Sequence, residues 1–361
     1  MAGIITNIRN SRFKEVLTEM YNCHHESEHH LEGSVLNHTL MVVQAVDKVA
    51  ADQWEQTNLS LTALLHDTGK PYTRVVERGR VMFPGHEGVS TYIAPLLLCE
   101  ALRDSLITPK DAIQILYGVN YHMLHWKNPN LFMRLFTEMV NYTCLYNFLK
   151  KFNQCDLKGR VSTKPQKQEF PVIHYFENTP IGTVERHVYF MIGVPGSGKS
   201  TFLQKVGEGA IVSRDEIMME YAAEIGITGD YNTVFQEIHN NPMHKTKVNN
   251  RYMNAFRKAV EENEKVFVDA TNMSHKSRRR FYNALRRDIA ETVGYHYIVM
   301  LPDYFTCIER AENREGKSIS REVVTDIARS LLLPCREHPN SIDTTIYMSD
   351  GHDEHVLREY W

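Results

Sequence analysis

The stretch HVYFMIGVPGSGKS, residues 187–200, decides how the C-terminal half of this chain folds. Its first six residues are mainly apolar, β-branched or aromatic, which predicts a buried strand. Residues 193–200 match the pattern G-x-x-x-x-G-K-[ST], and the spacing that follows indicates a helix. A strand that runs through this pattern into a helix is the setting in which a phosphate-binding loop forms. We therefore predict a P-loop here.

The residue types of the loop suit the binding of ATP or another NTP with Mg²⁺. The glycines let the backbone curl until its N–H groups converge on one point. Lys199 is expected to contact the β- and γ-phosphates, and the hydroxyl of Ser200 is expected to bind Mg²⁺. The loop residues predicted to hold the nucleotide are Gly193, Gly196, Ser197, Gly198, Lys199, Ser200 and Thr201.

Two acidic residues follow the next two predicted strands. Asp215 comes just after strand 210–213, and Asp269 ends the run KVFVD. Since the carboxyl ends of parallel strands meet at one edge of a sheet, both carboxylates are expected beside the P-loop. Asp215 would accept the proton of an attacking hydroxyl, and Asp269 would act on Mg²⁺ or a bound water. A structural role as helix caps stays open for both.

Basic residues cluster farther along the chain. The run HKSRRRFYNALRR, residues 275–287, holds six Lys or Arg and no acid, so it forms either a solvated helix face or a contact with acceptor phosphates. Segment 307–318 contains Arg310 and Arg314 and suits a mobile lid that closes on the nucleotide. The predicted acceptor-binding residues are Arg214, Asp269, Arg278, Arg279 and Arg280.

The whole chain reads as two domains. Its 361 residues, with 42% hydrophobic and 24% charged residues, are typical of globular proteins. Residues 1–160 are predicted to be all-α apart from a strand-like piece at 72–83, and the proline-containing segment 161–185 is predicted to be a linker. Residues 186–361 alternate strands with helices, which predicts an α/β domain with a parallel sheet. The predicted helices are 35–50, 59–66, 90–102, 109–122, 130–152, 199–206, 245–263, 274–290, 304–313 and 320–333; the strands are 187–192, 210–213, 265–270, 295–301 and 344–348.

Composition narrows the cellular setting. The six cysteines are scattered, which argues against a disulfide framework or a thiolate zinc site. The N-terminus lacks the pattern of a secretory signal, and no apolar run reaches the length of a membrane span. We expect a cytoplasmic protein without membrane contacts. A net charge of −3 excludes a protein that coats nucleic acid, so any such contact is expected to be a local patch.

Histidine is abundant, with 18 residues that concentrate in the first 130. His66 and Asp67 are adjacent at the end of a predicted helix, so both can bind one divalent ion. His38 and Asp156 are the expected further ligands, and His86 and His122 are expected to complete a second metal position. His125 stays open between the second metal position and a structural role. The remaining group, expected to be a solvated helix face, is His24, His25, His29 and His30.

The kinase-like motifs resemble those of the bacteriophage and bacterial 5′-polynucleotide kinases. GVPGSGKST, SRDE, DATN and an R-x₃-R-x₂-K segment occur in that order over roughly 190–335. The resemblance implies that Lys199 and Ser200 hold ATP and Mg²⁺, that Asp215 is the general base, and that Arg314 is the lid arginine. Met218 stands where the phage enzymes have an acceptor-phosphate arginine. Either Arg214 or the 278–280 cluster replaces it, or the acceptor differs.

The order H…HD…D resembles the HD phosphohydrolase superfamily. EGSVLNHTLMV, ALLHDTGKP, GHEG and CDLKGR are similar to the HD domain of bacterial tRNA nucleotidyltransferases over about 32–160. The resemblance implies a helical bundle with phosphatase and cyclic phosphodiesterase activity. The metal would be Mg²⁺, Mn²⁺, Co²⁺, Fe or Zn²⁺. Asp67 would be catalytic, and Lys70 would contact a substrate phosphate.

The fusion of the two halves resembles the HD-domain polynucleotide kinases, which heal broken RNA ends. The resemblance implies RNA or DNA ends as substrates, cleaved tRNA among them, and a ligase that acts afterwards. A small-molecule or nucleoside kinase fused to an HD nucleotidase is the alternative, and a non-catalytic ligand sensor is a third class. The sequence leaves open RNA or DNA, the 2′- or 3′-phosphate, the metals and the oligomeric state.

Overall fold

The computed structural model describes residues 8–26, 30–137, 143–163, 170–172 and 183–360, apart from the side chain of residue 137. Within the part before residue 163, helices dominate. The predicted linker 161–185 falls mostly outside the described residues. The helices of this part are α1 (Ser11–Asn22), α2 (Val35–Val46), α3 (Gln53–Leu65), α4 (Lys70–Thr73), α5 (His86–Ile93), α6 (Pro95–Arg103), α7 (Pro109–Tyr121), α8 (Leu124–Lys127), α9 (Pro129–Thr137) and α10 (Thr143–Lys158).

Local sequence explains where several of these helices begin. The Ser34 side chain accepts a hydrogen bond from the backbone N–H of Asn37 and caps α2. Thr108 and Asp111 form a capping box at the start of α7, with proline at its first position. The strand-like piece is a hairpin of β1 (Val75–Glu77) and β2 (Arg80–Met82). The helical prediction for this region is thus confirmed, while the predicted helix 90–102 is two helices that meet at Ala94.

The C-terminal part is built on a six-stranded sheet. The strand order is β4–β5–β3–β6–β7–β8, and all neighbours are parallel except the last pair. The prediction of a parallel sheet is therefore corrected at one edge: the chain turns back at Asp350–Gly351, and β8 pairs antiparallel with β7. The strands are β3 (Arg186–Ile192), β4 (Ala210–Ser213), β5 (Lys265–Asp269), β6 (Val293–Pro302), β7 (Ser341–Ser349) and β8 (Glu354–Tyr360).

Helices alternate with the strands of this sheet along the chain. The pattern did not predict the helices Arg214–Glu224 and Tyr231–Asn240, which form one wall of a cleft at the carboxyl edge. The predicted helix 274–290 is interrupted, because a capped helix ends at Tyr282 and a short one starts at Arg287. The helices are α11 (Lys199–Lys205), α12 (Arg214–Glu224), α13 (Tyr231–Asn240), α14 (Pro242–Glu262), α15 (His275–Tyr282), α16 (Arg287–Ala290), α17 (Tyr304–Glu312) and α18 (Arg321–Ala328).

The helical part packs directly against the sheet-containing part, and one hydrophobic core cluster includes buried residues of both. Tyr121 donates a hydrogen bond to the carbonyl of Leu333 at 2.7 Å. The Asn120 side chain accepts from the Leu333 N–H at 2.8 Å and donates to the Leu331 carbonyl at 3.1 Å. These buried bonds satisfy the irregular backbone after α18 with side chains of α7. Among the described residues, no helix has the length and apolar character needed to cross a membrane.

Candidate functional sites

The loop between β3 and α11 has the geometry of a P-loop. Gly196 and Gly198 have φ values of 79° and 94°. A Cβ on Gly196 would lie 2.1 Å from the Cys307 carbonyl oxygen, so only glycine fits this close approach. The Lys199 ammonium donates to the carbonyls of Gly193 and Val194 at 2.7 and 3.0 Å. Burial lowers the pKa of Lys199 to about 8.

The P-loop opens into a cleft of about 1630 Å³ at the carboxyl edge of the sheet. Asp215, in the first turn of α12, lies in this cleft and accepts a hydrogen bond from Tyr231 at 3.0 Å. Its second oxygen pairs with the ammonium of Lys317. Burial by itself would raise the pKa of Asp215, but Lys317 and the hydrogen bonds lower it below its ordinary value. The carboxylate is therefore ionised and oriented.

Asp269 lies beside Asp215, because β4 and β5 pair with Ser213 opposite Asp269. Burial raises the pKa of Asp269 above its ordinary value. Neither aspartate is a helix cap: Ser213 caps α12, and Ser274 caps α15. Both carboxylates are thus free of the structural role that the sequence left open, and both line the cleft.

The predicted cationic residues do not all reach the cleft. Ser200 and Thr201 of the loop line it together with four arginines, while Arg279 is exposed elsewhere. Within the described part of the chain, none of these four arginines forms an ion pair with a carboxylate. Unpaired guanidinium groups that converge on one cleft suit the binding of phosphate oxygens. The four are Arg214, Arg280, Arg310 and Arg314.

Arg278 takes a structural position instead of the predicted acceptor-binding one. Its side chain is fully buried and pairs with Glu337, donating from Nε at 2.9 Å and from Nη2 as well. It also donates to the carbonyls of Asn272 at 2.7 Å and Leu332 at 3.0 Å. The guanidinium is therefore committed to the protein interior and does not line the cleft.

The burial of position 218 explains why it holds methionine and not arginine. It is fully buried in a hydrophobic cluster formed by α12, α13 and α14, with Tyr221, Val234 and Val248 among its members. A guanidinium at this position would be desolvated without a partner. Arg214 directly precedes Asp215 in the chain. It lies in the cleft, and its guanidinium contacts the Asn249 side chain at 3.5 Å.

A second cluster lies in the helical part. His38, His66 and Asp67 place one ligand atom each within 4.8 Å of one another, and so do Asp67, His86 and His122. Asp67 belongs to both groups, and all five side chains are buried. Asp156 joins them, with its Oδ1 3.0 Å from His38 Nε2. The structure thus brings together all six residues that the sequence predicted as ligands in this part.

Hydrogen bonds fix the orientation of three of these imidazoles. The Nδ1 atoms of His66, His86 and His122 lie 2.8, 2.9 and 2.7 Å from backbone carbonyl oxygens, so each Nδ1 carries the proton and each Nε2 carries a lone pair. Burial and the neighbouring histidines lower the pKa of His122 far below its ordinary value. The three Nε2 atoms are therefore available as metal ligands.

The cluster also contains close contacts between lone pairs that a bound cation would relieve. His86 Nε2 and His122 Nε2 are only 3.1 Å apart, although both nitrogens carry lone pairs. His66 Nε2 lies 3.2 Å from Asp67 Oδ2 and makes no hydrogen bond. Facing lone pairs repel each other unless a proton or a metal ion lies between them. The residues therefore fit divalent metal ions with mixed nitrogen and oxygen ligands.

Three residues that were not predicted also belong to this cluster, beside the predicted Lys70: His25, Glu32 and Arg160. The Lys70 ammonium lies 2.7 Å from Asp67 Oδ2 and 2.9 Å from Nε2 of His25. His25 is buried, which corrects its assignment to a solvated helix face, since α1 ends before it. Glu32 Oε1 lies 2.8 Å from His38 Nδ1, and Arg160 pairs with Asp156. The i, i+4 spacing of Asp156 and Arg160 on one helix was the available signal.

The other histidines take different positions. The ring of His125 packs against Phe170 and Phe132, with centroids 4.8 and 5.9 Å away, and His125 belongs to neither ligand group. His24 is exposed, and His30 is partly buried and stacks on His25. Neither lies on a helix, so the predicted helix face is wrong for both, whereas His29 lies outside the described residues. The packing of His125 therefore favours the structural role that the sequence had left open.

Comparisons with known proteins cover the C-terminal part. Residues 188–334 match a family model described as an AAA domain. No curated protein matches the chain. Solved structures similar to it include a chain of the Pnkp1/Rnl/Hen1 RNA repair complex, with 18% identity, a TM-score of 0.33, and coverage of 42% of this chain and 45% of that chain. The chain thus spans less than half of that relative.

Two smaller proteins are also similar. A gluconokinase from Sinorhizobium meliloti 1021 has 14% identity and a TM-score of 0.29, covering 45% of this chain and 83% of that chain. TT1252 from Thermus thermophilus has 14% identity and a TM-score of 0.30, covering 46% of this chain and 91% of that chain. The family match and the loop geometry identify the C-terminal part as a P-loop, kinase-like domain, which implies the use of a nucleotide and Mg²⁺.

Proposed function

We propose that this protein is a bifunctional enzyme that heals nucleic-acid ends, with RNA as the favoured substrate. The P-loop part transfers the γ-phosphate of ATP or another NTP to a 5′-hydroxyl. The helical part, as an HD phosphohydrolase, removes a 2′- or 3′-phosphate and opens a 2′,3′-cyclic phosphate. The observation that carries the proposal is the presence of two separate reactive clusters in one chain: Asp215 beside the P-loop, and the His/Asp group around Asp67.

In the kinase half, Asp215 accepts the proton of the 5′-hydroxyl while the hydroxyl oxygen attacks the γ-phosphorus. The bond to the β-phosphate oxygen breaks, and ADP leaves. Lys199 exchanges its two loop carbonyls for phosphate oxygens, and Arg314 neutralises charge on the transferring group. Ser200 would hold Mg²⁺ through its hydroxyl, and the ion would supply positive charge against the phosphates. The ionised state of Asp215 supports its role as the base.

In the phosphohydrolase half, the six predicted ligands would hold one or two divalent ions, with Asp67 shared between both groups. Such ions lower the pKa of bound water and polarise phosphoryl oxygens. Lys70 contacts Asp67 and is the residue that would contact the substrate phosphate. Arg160 holds the Asp156 carboxylate in place, and its charge keeps the pKa of Asp156 well below the ordinary range despite burial.

The two reactions fit one another chemically. Many ribonucleases leave a 5′-hydroxyl and a 2′,3′-cyclic phosphate, whereas a ligase requires a 5′-phosphate and a free 3′-hydroxyl. One chain with both activities converts the first pair of ends into the second. Broken tRNA is a suitable substrate, and a ligase would act on the product.

The test is an RNA with a 5′-hydroxyl and a 2′,3′-cyclic phosphate, incubated with ATP and Mn²⁺ or Co²⁺, with both ends of the product identified. Lys199→Ala should abolish 5′-phosphorylation and spare the phosphohydrolase reaction. Asp67→Ala should remove bound metal and end-dephosphorylation together, and spare the kinase reaction. Each variant is the control for the other, because the changes lie in different clusters.

Three outcomes would contradict the proposal. If the wild-type protein phosphorylates free nucleosides or other small molecules and ignores RNA and DNA ends, it is a nucleotide-metabolism enzyme. If Asp67→Ala keeps its full metal content and activity, the assignment of the helical part as an HD phosphohydrolase is wrong. A protein that binds ATP and metal but turns over no substrate would instead be a ligand sensor.

A further inference from the structure

We propose that Glu32 is a positioning residue of the His/Asp cluster: its carboxylate acts through the imidazole of His38 and strengthens the binding of the metal ion that His38 holds. The inference rests on the proposed phosphohydrolase function and adds a residue outside the six predicted ligands. Glu32 does not belong to the ligand group of His38, His66 and Asp67. It contacts the other ring nitrogen of His38, and the following contacts carry the argument.

The two nitrogens of His38 face different groups. Nε2 lies 3.0 Å from Asp156 Oδ1 and 3.8 Å from Asp67 Oδ2, on the side of the predicted metal position. Nδ1 lies 2.8 Å from Glu32 Oε1. An ionised carboxylate offers only lone pairs, so a nitrogen this close to it carries a proton, and in the neutral ring Nε2 then keeps its lone pair for a metal ion.

His38 differs in this respect from the other imidazoles of the cluster. The Nδ1 atoms of His66, His86 and His122 face neutral backbone carbonyls. That of His38 faces a carboxylate, which draws the Nδ1 proton more strongly and makes Nε2 a better electron-pair donor. Loss of such a partner typically weakens metal binding by about 10–100-fold. Since His38 belongs to only one of the two ligand groups, Glu32 should affect only one metal position.

The surrounding chain holds the Glu32 carboxylate in this position. Its side chain is only 2% exposed, and Oε1 also accepts a hydrogen bond from His30 Nδ1 at 2.8 Å. Oε2 accepts from the backbone N–H of Val161 at 3.2 Å, and the Leu31 N–H donates to the Val161 carbonyl at 2.9 Å. The segment before α2 is thus paired with the segment after α10, and both carboxylate oxygens are fixed before a metal ion binds.

The charge of Glu32 is directed at imidazoles. Among the described residues, no Lys or Arg forms an ion pair with it, and its ion-pair partners are His30 and His38. A buried carboxylate is costly unless its environment uses the charge. Here the charge faces the ring of a predicted metal ligand, where it favours the binding of a cation on the opposite side of that ring.

A third metal ion is the alternative use of this carboxylate. His25, His30 and Glu32 place one ligand atom each within 4.8 Å of one another. The contacts argue against an ion there, because the Lys70 ammonium lies 2.9 Å from His25 Nε2 and would repel a second cation. Glu32 Oε1 also faces two imidazole nitrogens already. The carboxylate is therefore a partner of the imidazoles and not itself a metal ligand.

The experiment titrates the chelator-treated full-length protein with Mn²⁺ by calorimetry, with Co²⁺ and its absorption spectrum as a second probe. His38→Ala should weaken the binding of one ion and so identify it. Glu32→Ala should weaken the same ion by about 10–100-fold and leave any other ion at its wild-type affinity. Glu32→Gln keeps the shape and an acceptor oxygen without the charge, so its affinity should lie between those of Glu32→Ala and the wild type.

Two further variants separate positioning from a general loss of structure. In the His38→Ala background, Glu32→Ala should cause no further loss of metal affinity, because the residue through which it acts is gone. Glu87→Ala is the matched control and should bind metal as the wild type does. Glu87 lies 3.7 Å from Nδ1 of the ligand His86, but that nitrogen already donates to the Phe83 carbonyl at 2.9 Å.

Wild-type metal affinity in both Glu32 variants, or a further loss from Glu32→Ala in the His38→Ala background, would overturn the role of Glu32 and leave the phosphohydrolase proposal intact. If Glu32→Ala is unfolded by circular dichroism, Glu32→Gln decides the question. If the wild-type protein binds neither Mn²⁺ nor Co²⁺, the proposed function of the helical part fails, and the role of Glu32 fails with it.

Discussion

Variants of Arg278 and Arg280 test whether the first arginine stabilises the fold while the second binds the acceptor. The two residues are two positions apart on α15, yet Arg278 is fully buried and Arg280 lines the cleft. Arg278→Met should therefore lower stability without a specific effect on the acceptor. Arg280→Met should raise the KM for a polynucleotide and leave the melting temperature close to the wild-type value.

The expected loss follows from what Arg278 leaves behind. Glu337 would remain as a buried carboxylate, with His275 Nδ1 at 3.3 Å and the Tyr282 hydroxyl at 3.1 Å as its remaining neighbours. Removing one partner of a buried ion pair costs about 3–5 kcal/mol. At roughly 2–4 °C per kcal/mol, the melting temperature should fall by about 6–20 °C. The carbonyls of Asn272 and Leu332 also lose their donor.

Thermal unfolding followed by circular dichroism, together with kinase assays at a temperature where both variants are folded, measures these effects. The double variant Arg278→Met/Glu337→Gln should recover part of the lost stability, because it no longer buries an unpaired charge. The reasoning is refuted if Arg278→Met melts within about 2 °C of the wild type, or if it raises the KM for polynucleotide as much as Arg280→Met does.

Three further predictions concern single side chains. Asp215→Ala should reduce 5′-phosphorylation by about 10²–10⁴-fold while ATP binding by calorimetry stays unchanged; wild-type turnover would exclude it as the base. Tyr92→Phe removes the hydroxyl that accepts from the Val194 N–H at 3.1 Å, so this buried donor loses its partner at a cost of about 1–3 kcal/mol; the KM for ATP should rise, and an unchanged KM and melting temperature would contradict this. Burial would raise the pKa of Glu337, but Arg278 lowers it to about 2 from an ordinary 4.5. Its contribution to stability is therefore complete above pH 4.5 and is lost as the pH falls towards 2, so acid titration of unfolding should be flatter in Glu337→Gln than in the wild type.

Much of the kinase half was predictable because its signals are local. The strand 187–192, the loop of Gly193–Ser200 and the helix after it are consecutive in the chain, and each depends on backbone preferences within a few residues. The order of strands and helices predicted a largely parallel sheet for the same reason. The antiparallel β8 was missed, since it lies at an exposed edge, its polar and apolar residues do not alternate, and only Leu357 of its seven residues is buried.

The His/Asp cluster was predictable only in part. His66 and Asp67 are neighbours in sequence, so the prediction that both bind one divalent ion needed no knowledge of the fold. His25 and Glu32 come from the segment between α1 and α2, where the sequence gives no period from which their direction follows. They join the cluster through contacts of His25 with Lys70 and of Glu32 with His38, and these contacts depend on packing between elements that are not consecutive in the chain.

The sequence by itself determined the P-loop, the alternation of strands and helices, and the candidate ligands, because these features depend on residues close together in the chain. The tertiary structure decided which side chains are available for chemistry. Successive residues of a helix are rotated by about 100°, so Arg278 enters the core while Arg280 faces the cleft. Met218 is buried and Arg214 is not, because α12 packs on α14 and on α13, which the pattern did not predict. Which face of a helix meets the core depends on partners far away in sequence, and only the folded chain supplies them.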